Sequence, residues 1–128
     1  MRRLGWPLAL LLFPGCSSVS GKWLGSCDFG DARYGYTAAV TLDIEDGRGS
    51  AVEGKVQLDM FDGRSFEGKV DGLRSDTYIE MDGDFRQDDG VYSLSLTGDI
   101  DESVIEGDCS LKVPLGTGAL TGDMILER

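Results

Sequence analysis

From Lys22 onward, apolar residues recur at every second position rather than every third or fourth, which is the period of a half-buried strand. Tyr36, Ala38, Val40, Leu42 and Ile44 alternate with Thr37, Ala39, Thr41 and Asp43. Val52, Val56 and Leu58 alternate with Glu53, Lys55, Gln57 and Asp59, and Tyr92, Leu94, Leu96 and Ile100 with Ser93, Ser95, Thr97 and Asp99. Turn residues separate the runs: Glu45-Asp46-Gly47, Phe61-Asp62-Gly63, Asp88-Asp89-Gly90, and the stretch from Pro114 to Gly118. Asp-Gly between alternating runs is a hairpin signal, because a tight turn there demands positive φ. The pattern predicts eight strands, over 22–29, 34–44, 51–60, 65–71, 76–85, 91–100, 103–113 and 118–127. No segment after Lys22 reads as a helix.

One short pattern recurs seven times: apolar, any, Gly, any, apolar. Its glycines are Gly25, Gly54, Gly68, Gly83, Gly98, Gly107 and Gly122. By alternation each faces the same side as its apolar neighbours. An inward glycine weakens a strand, so its repetition needs a structural reason. A small closed barrel supplies one: strands bend sharply at glycine, and the missing side chains leave room for Trp, Phe and Tyr opposite.

The fold expected is therefore all-β, a small up-and-down antiparallel barrel of about eight strands, in which closure removes exposed edges. A six- or seven-stranded open barrel and a small sandwich are the alternatives. An outer-membrane barrel is apolar outside and polar inside. Here the non-apolar face carries Asp, Glu, Lys and Ser, and it faces water. The opening Trp23-x-Gly25 and the closing Gly122-x-Met124-x-Leu126-x-Arg128 resemble lipocalin-like and avidin-like meander barrels. That resemblance implies a Trp on the first strand and, as in lipocalins, a late Arg covering it, here Trp23 and Arg128.

The N-terminus follows other rules. Arg2 and Arg3 precede about ten apolar residues, Leu4 to Phe13, the layout of a secretory signal. The run is too short to span a bilayer, which takes roughly 20 apolar residues. Gly15-Cys16 at its end resembles the lipobox of bacterial lipoproteins. The resemblance implies cleavage before Cys16 and acylation of that cysteine, hence a membrane partner held through lipid. The chain then divides into a signal at 1–15, a tether at 16–21 and a barrel at 22–128. Ser17 resembles the sorting pattern of outer-membrane lipoproteins, which implies an envelope protein facing the periplasm. A cut after Ser20 would instead give a soluble secreted protein.

Composition narrows the chemistry. The net charge is −11, and removal of 1–15 takes away Arg2 and Arg3 and makes it −13. Phosphate binding needs clustered Lys and Arg, so nucleic acid is not an expected partner. There is no histidine, hence no imidazole base or ligand. With 23 carboxylates, chance pairs are certain, and none is marked as a catalytic pair. Asp82-Gly83-Asp84 and Asp43-Ile44-Glu45-Asp46-Gly47 do not follow the calcium-loop order of ligands. No metal, cofactor or catalytic residue is assigned. With Cys16 given to lipid, Cys27 and Cys109 remain; both face inward and are expected to pair as a disulfide in an oxidising compartment, the alternative being two buried thiols.

The distinctive loop is Phe29 to Tyr36, where Asp31, Arg33, Tyr34 and Tyr36 form a candidate partner-binding set, since Tyr and Arg recur at binding hot spots. The alternative is a plain turn closing the barrel end. The function expected first is a non-enzymatic, lipid-anchored envelope module working through protein contacts, the partner being a basic envelope or secreted protein. Periplasmic lysozyme inhibitors resemble this chain in format, and their cationic target would be steered by its negative charge. The third reading is a carrier of a small apolar ligand inside the barrel, although an eight-stranded barrel can equally fill itself with side chains.

Overall fold

The computed structural model describes residues 18–30, 35–60, 63–114 and 119–128, with only the backbone described at 35 and 36. The alternating runs form eight strands: β1 (Gly21–Gly30), β2 (Gly35–Asp46), β3 (Ala51–Asp59), β4 (Ser65–Arg74), β5 (Tyr78–Gln87), β6 (Gly90–Asp101), β7 (Val104–Lys112) and β8 (Ala119–Glu127). Each pairs antiparallel with the next, and β1 pairs with β8, so the sheet is a closed up-and-down barrel. The open-barrel and sandwich alternatives are thereby removed. Among the described residues no helix forms.

Most boundaries shift by one or two residues, and the β4–β5 hairpin shifts most. β4 continues to Arg74 rather than ending at 71, and β5 begins at Tyr78 rather than 76. The cause is Gly72, a further inward glycine that the repeat does not include: a Cβ there would lie 1.9 Å from the Glu80 carbonyl oxygen. The strands therefore pair tightly where the sequence suggests a loop, from Gly72 opposite Met81 to Arg74 opposite Ile79.

The seven repeated glycines serve as expected. At six of them an added Cβ would lie between 1.8 and 2.9 Å from a backbone oxygen of the neighbouring strand. Gly68 differs: it is covered by the Phe85 ring, 2.3 Å from such a Cβ. The inward side chains fill the interior. Trp23, Phe29, Leu58, Ala38 and Leu126 are fully buried, and no core residue but Met60, at 7 %, keeps more than 3 % of its surface. A cavity wide enough for water would leave accessible surface on its lining, so the described part of the interior is packed. No polar or charged residue among those described is buried there.

Candidate functional site

The two ends of the barrel are built differently. One end carries the start of β1, the end of β8 and the turns after β2, β4 and β6, and it is sealed. The Trp23 indole closes it from inside, fully buried, and its Nε1 donates to the Val19 carbonyl at 2.9 Å. Val19, itself buried, plugs the opening. Above the indole lies the Arg128 guanidinium, 4.6 Å from the ring centroid. Arg128 also donates to the Ser18 and Ser20 carbonyls, at 2.9 and 3.0 Å. The Trp–Arg cover that the lipocalin-like resemblance implies is thus present.

Asp46, at the end of β2, ties the segment before β1 to this end. Its Oδ2 accepts from Ser18 Oγ at 2.6 Å and from the Val19 amide at 3.2 Å, and its Oδ1 accepts from Arg74 Nε at 2.7 Å. Its amide in turn donates to Ser20 Oγ at 3.0 Å. The stretch 16–21 is therefore bonded to the barrel from Ser18 onward, and Gly21 already belongs to β1. Partial burial alone would raise the Asp46 pKa, but the bonds from Ser18 and Arg74, the Arg74 charge and the Val19 amide together hold it below the ordinary 3.8. A lowered carboxylate pKa stabilises the fold above the unfolded value and ceases to do so as pH falls through the native value. The strap accordingly loosens only in acid, below about pH 4.

The opposite end, the mouth, carries the ends of β1, β3, β5 and β7. Under it lies an aromatic cluster. Phe66 stacks on Phe85 with centroids 6.5 Å apart and packs against Tyr92 at 4.7 Å. Arg64 caps Phe66, its guanidinium 5.5 Å from the ring, and donates to the Tyr92 hydroxyl at 3.3 Å. The hydroxyl donates in turn to Asp89 Oδ2 at 2.6 Å. That bond, with burial and the Asp89 charge, pushes the Tyr92 pKa above 10, against the opposing pull of Arg64. The phenol stays protonated at physiological pH. The β4–β5 ladder, with four residue pairs, is the shortest in the barrel and does not reach this end. The mouth therefore combines apolar rings, a cation and a phenol where the sheet is least continuous.

Of the loop singled out in the sequence, Asp31, Arg33 and Tyr34 lie outside the described residues, as does Cys16. Tyr36 is placed only by its backbone, opposite Phe29. Cys27, on β1, and Cys109, on β7, are both buried and are free thiols in this structure. Sequence reasoning missed Arg64, Asp89, Asp46 and Arg74. Arg64 meets Tyr92, and Arg74 meets Asp46, across 28 positions of chain that no local pattern bridges, whereas Asp89 meets Tyr92 only three residues on, across the β5–β6 turn.

The outer face is unevenly charged. Three of the four lysines lie in one row, Lys22 opposite Asp43, Asp43 opposite Lys55, and Lys55 opposite Lys69. They line a surface groove of about 490 Å³ with Thr41, Gln57 and Glu67. Across the seam the reverse holds: Asp108, Asp123 and Asp28 sit directly opposite one another on β7, β8 and β1. Like charges directly opposite are destabilising, so the aspartate row costs some stability in the isolated protein, whereas in the lysine row Asp43 stands between Lys22 and Lys55 and only Lys55 and Lys69 face a like charge.

No family model matches the chain, and no curated protein matches it. Solved structures do. A redesigned β-barrel, mFAP1, bound to DFHBI, superposes with a TM-score of 0.68 at 13% identity, over 86% of this chain and 94% of that one. The protein EF1p2_mFAP2b, also bound to DFHBI, gives a TM-score of 0.70 at 13% identity, over 86% and 93%. At that identity the likeness is one of fold.

Proposed function

We propose that the protein is a non-enzymatic binding module that holds a small, flat, apolar ligand at the mouth of its barrel. The observation that carries this reading is the aromatic cluster of Phe66, Phe85 and Tyr92, buried just beneath the end opposite the one sealed by Trp23, Val19 and Arg128, with the polar groups of Arg64 and Asp89 beside it. Apolar walls with a few placed polar groups are the usual make-up of a small-molecule site. Both similar barrels are bound to a small ligand, DFHBI. Because the interior is packed, the ligand sits at the mouth and displaces the Phe85 ring from its seat over Gly68.

Titration with DFHBI, followed by its fluorescence, tests this. Saturable binding at micromolar concentration is expected, weakened several-fold by Arg64→Met and by Tyr92→Phe. No binding up to about 100 μM, where a site of roughly −6 kcal/mol or tighter would be mostly occupied, overturns the reading for this class of ligand.

Contact with a cationic protein, lysozyme among the candidates, is a second reading. It is favoured by the packed interior and by the row of like charges at Asp108, Asp123 and Asp28, which a basic surface would neutralise.

For location, we infer a lipid anchor at Cys16. Ser18 is bonded to the sealed end, and two residues of chain reach no further than about 7 Å. An acyl chain at Cys16 would hold that end against the membrane, with the mouth directed into the aqueous compartment. Labelling with palmitate should mark the wild type and not Cys16→Ala. Equal labelling of both would remove the anchor from this account and leave the mouth site standing.

A further inference from the structure

We propose that Cys27 and Cys109 are an oxidisable pair whose disulfide locks the seam where the barrel closes. The seam joins β1 to β8 through Leu24–Phe29 and Gly122–Glu127. Cys27 lies on β1 opposite Met124, and Cys109 lies on β7 opposite Gly122, so β8 runs between them. Strands two apart in a flat sheet are about 9.5 Å from one another, too far for a disulfide. Gly122 shortens that distance. With no side chain there, the β1 backbone folds over β8 until an added Cβ would be 1.8 Å from the Asp28 carbonyl oxygen. Cα atoms of β1 and β7 thereby come within 8 Å across the intervening strand.

The two thiols meet above that glycine. Cys109 Sγ lies against the Gly122 carbonyl at 3.7 Å, and Cys109 is close enough to Cys27 to raise its pKa. They are 0 and 1 % exposed. The neighbouring Cys109 and burial raise the Cys27 pKa, which keeps that buried thiol protonated and slow to react. Oxidation therefore belongs to folding, before the seam shuts. The thiolate of one cysteine attacks a sulfur of a disulfide oxidant, forming a mixed disulfide and releasing one oxidant thiol. The second cysteine then attacks its partner's sulfur in the mixed disulfide and expels the other oxidant thiol. Two electrons and two protons pass from the protein to the oxidant. The resulting bond encloses β2 to β6 and ties the first strand to the seventh.

The test uses the full chain carrying Cys16→Ala, unfolded, reduced and refolded with oxidised glutathione. The refolded monomer is expected to gain two hydrogen masses on reduction, with Cys27 and Cys109 in one cross-linked peptide. Its unfolding in denaturant should be at least about tenfold slower than that of the reduced protein, because the seam must part for the barrel to open. Cys27→Ser and Cys109→Ser must each abolish the mass change. A Cys27→Ala and Cys109→Ala double variant, which leaves no polar sulfur to satisfy, provides the folded reference if the serines fail to fold. A monomer that regains its β-sheet circular dichroism under oxidant without the mass change overturns the proposal, and so does cross-linking found only between two copies.

Discussion

Replacing Gly122 by alanine is expected to destabilise the barrel by about 3 kcal/mol or more, beyond the usual range for overpacking, and to lower its melting temperature by roughly 10–20 °C. The methyl group would stand 1.8 Å from the Asp28 carbonyl oxygen. Its mirror across the seam is Gly25, where a methyl would be 1.9 Å from the Ile125 carbonyl oxygen. A clash with the end of a flexible side chain can be relieved by a rotamer change, but a clash with backbone oxygen cannot. Relief requires β1 and β8 to separate, and their six-pair ladder is what closes the barrel. Gly25→Ala should match Gly122→Ala in size, and the double variant should not fold, since typical domain stability is only about 5–15 kcal/mol. Gly49→Ala is the control. Nothing lies within 4 Å of a Cβ there, and its φ of +61° makes the expected cost about 1–2 kcal/mol. Urea midpoints compare the three. A Gly122→Ala protein no less stable than Gly49→Ala would mean that β1 and β8 are not so close in solution.

The seam also shows which features the sequence could reveal. Alternation and the inward glycines are local, each written within five residues, and they yield eight strands and a closed sheet without further help. Gly72 escaped because Val70-Asp71-Gly72-Leu73-Arg74 ends on a charge where the repeat has an apolar residue. The sequence pattern therefore ends β4 at 71, three residues short of the strand the structure forms. Long-range partnerships were hidden for a different reason. That Ser18, Asp46 and Arg74 meet at one rim, and Arg64, Tyr92 and Asp89 at the other, depends on the register of several strands at once. A one-residue slip would turn every such side chain to the wrong face. Trp23 and Arg128 are separated by nearly the whole chain, and only the resemblance to lipocalin-like barrels suggested that they meet.

Trp23→Ala is the second change with a large expected effect, about 3–5 kcal/mol, the cost of deleting a large buried aromatic side chain. The indole is fully buried, and its loss also strands the Val19 carbonyl it satisfies. Arg128→Met should cost less, about 1–3 kcal/mol, because the guanidinium is exposed although it holds two carbonyls. The informative quantity is their coupling. If Arg128 acts chiefly through the ring beneath it, the cost of Arg128→Met should fall by roughly 0.5–1 kcal/mol when Trp23 is already leucine. If it acts chiefly by gripping the Ser18 and Ser20 carbonyls, the cost should be unchanged. Spectroscopy separates the same alternatives. In a chain beginning at Cys16, Trp23 is the only tryptophan, so its emission reports the sealed end alone. Arg128→Met should shift that emission to the red if the strap lifts and water reaches the indole. Blue emission together with unchanged stability would show that Val19 and the core seal the end unaided, and that Arg128 contributes nothing to closing it.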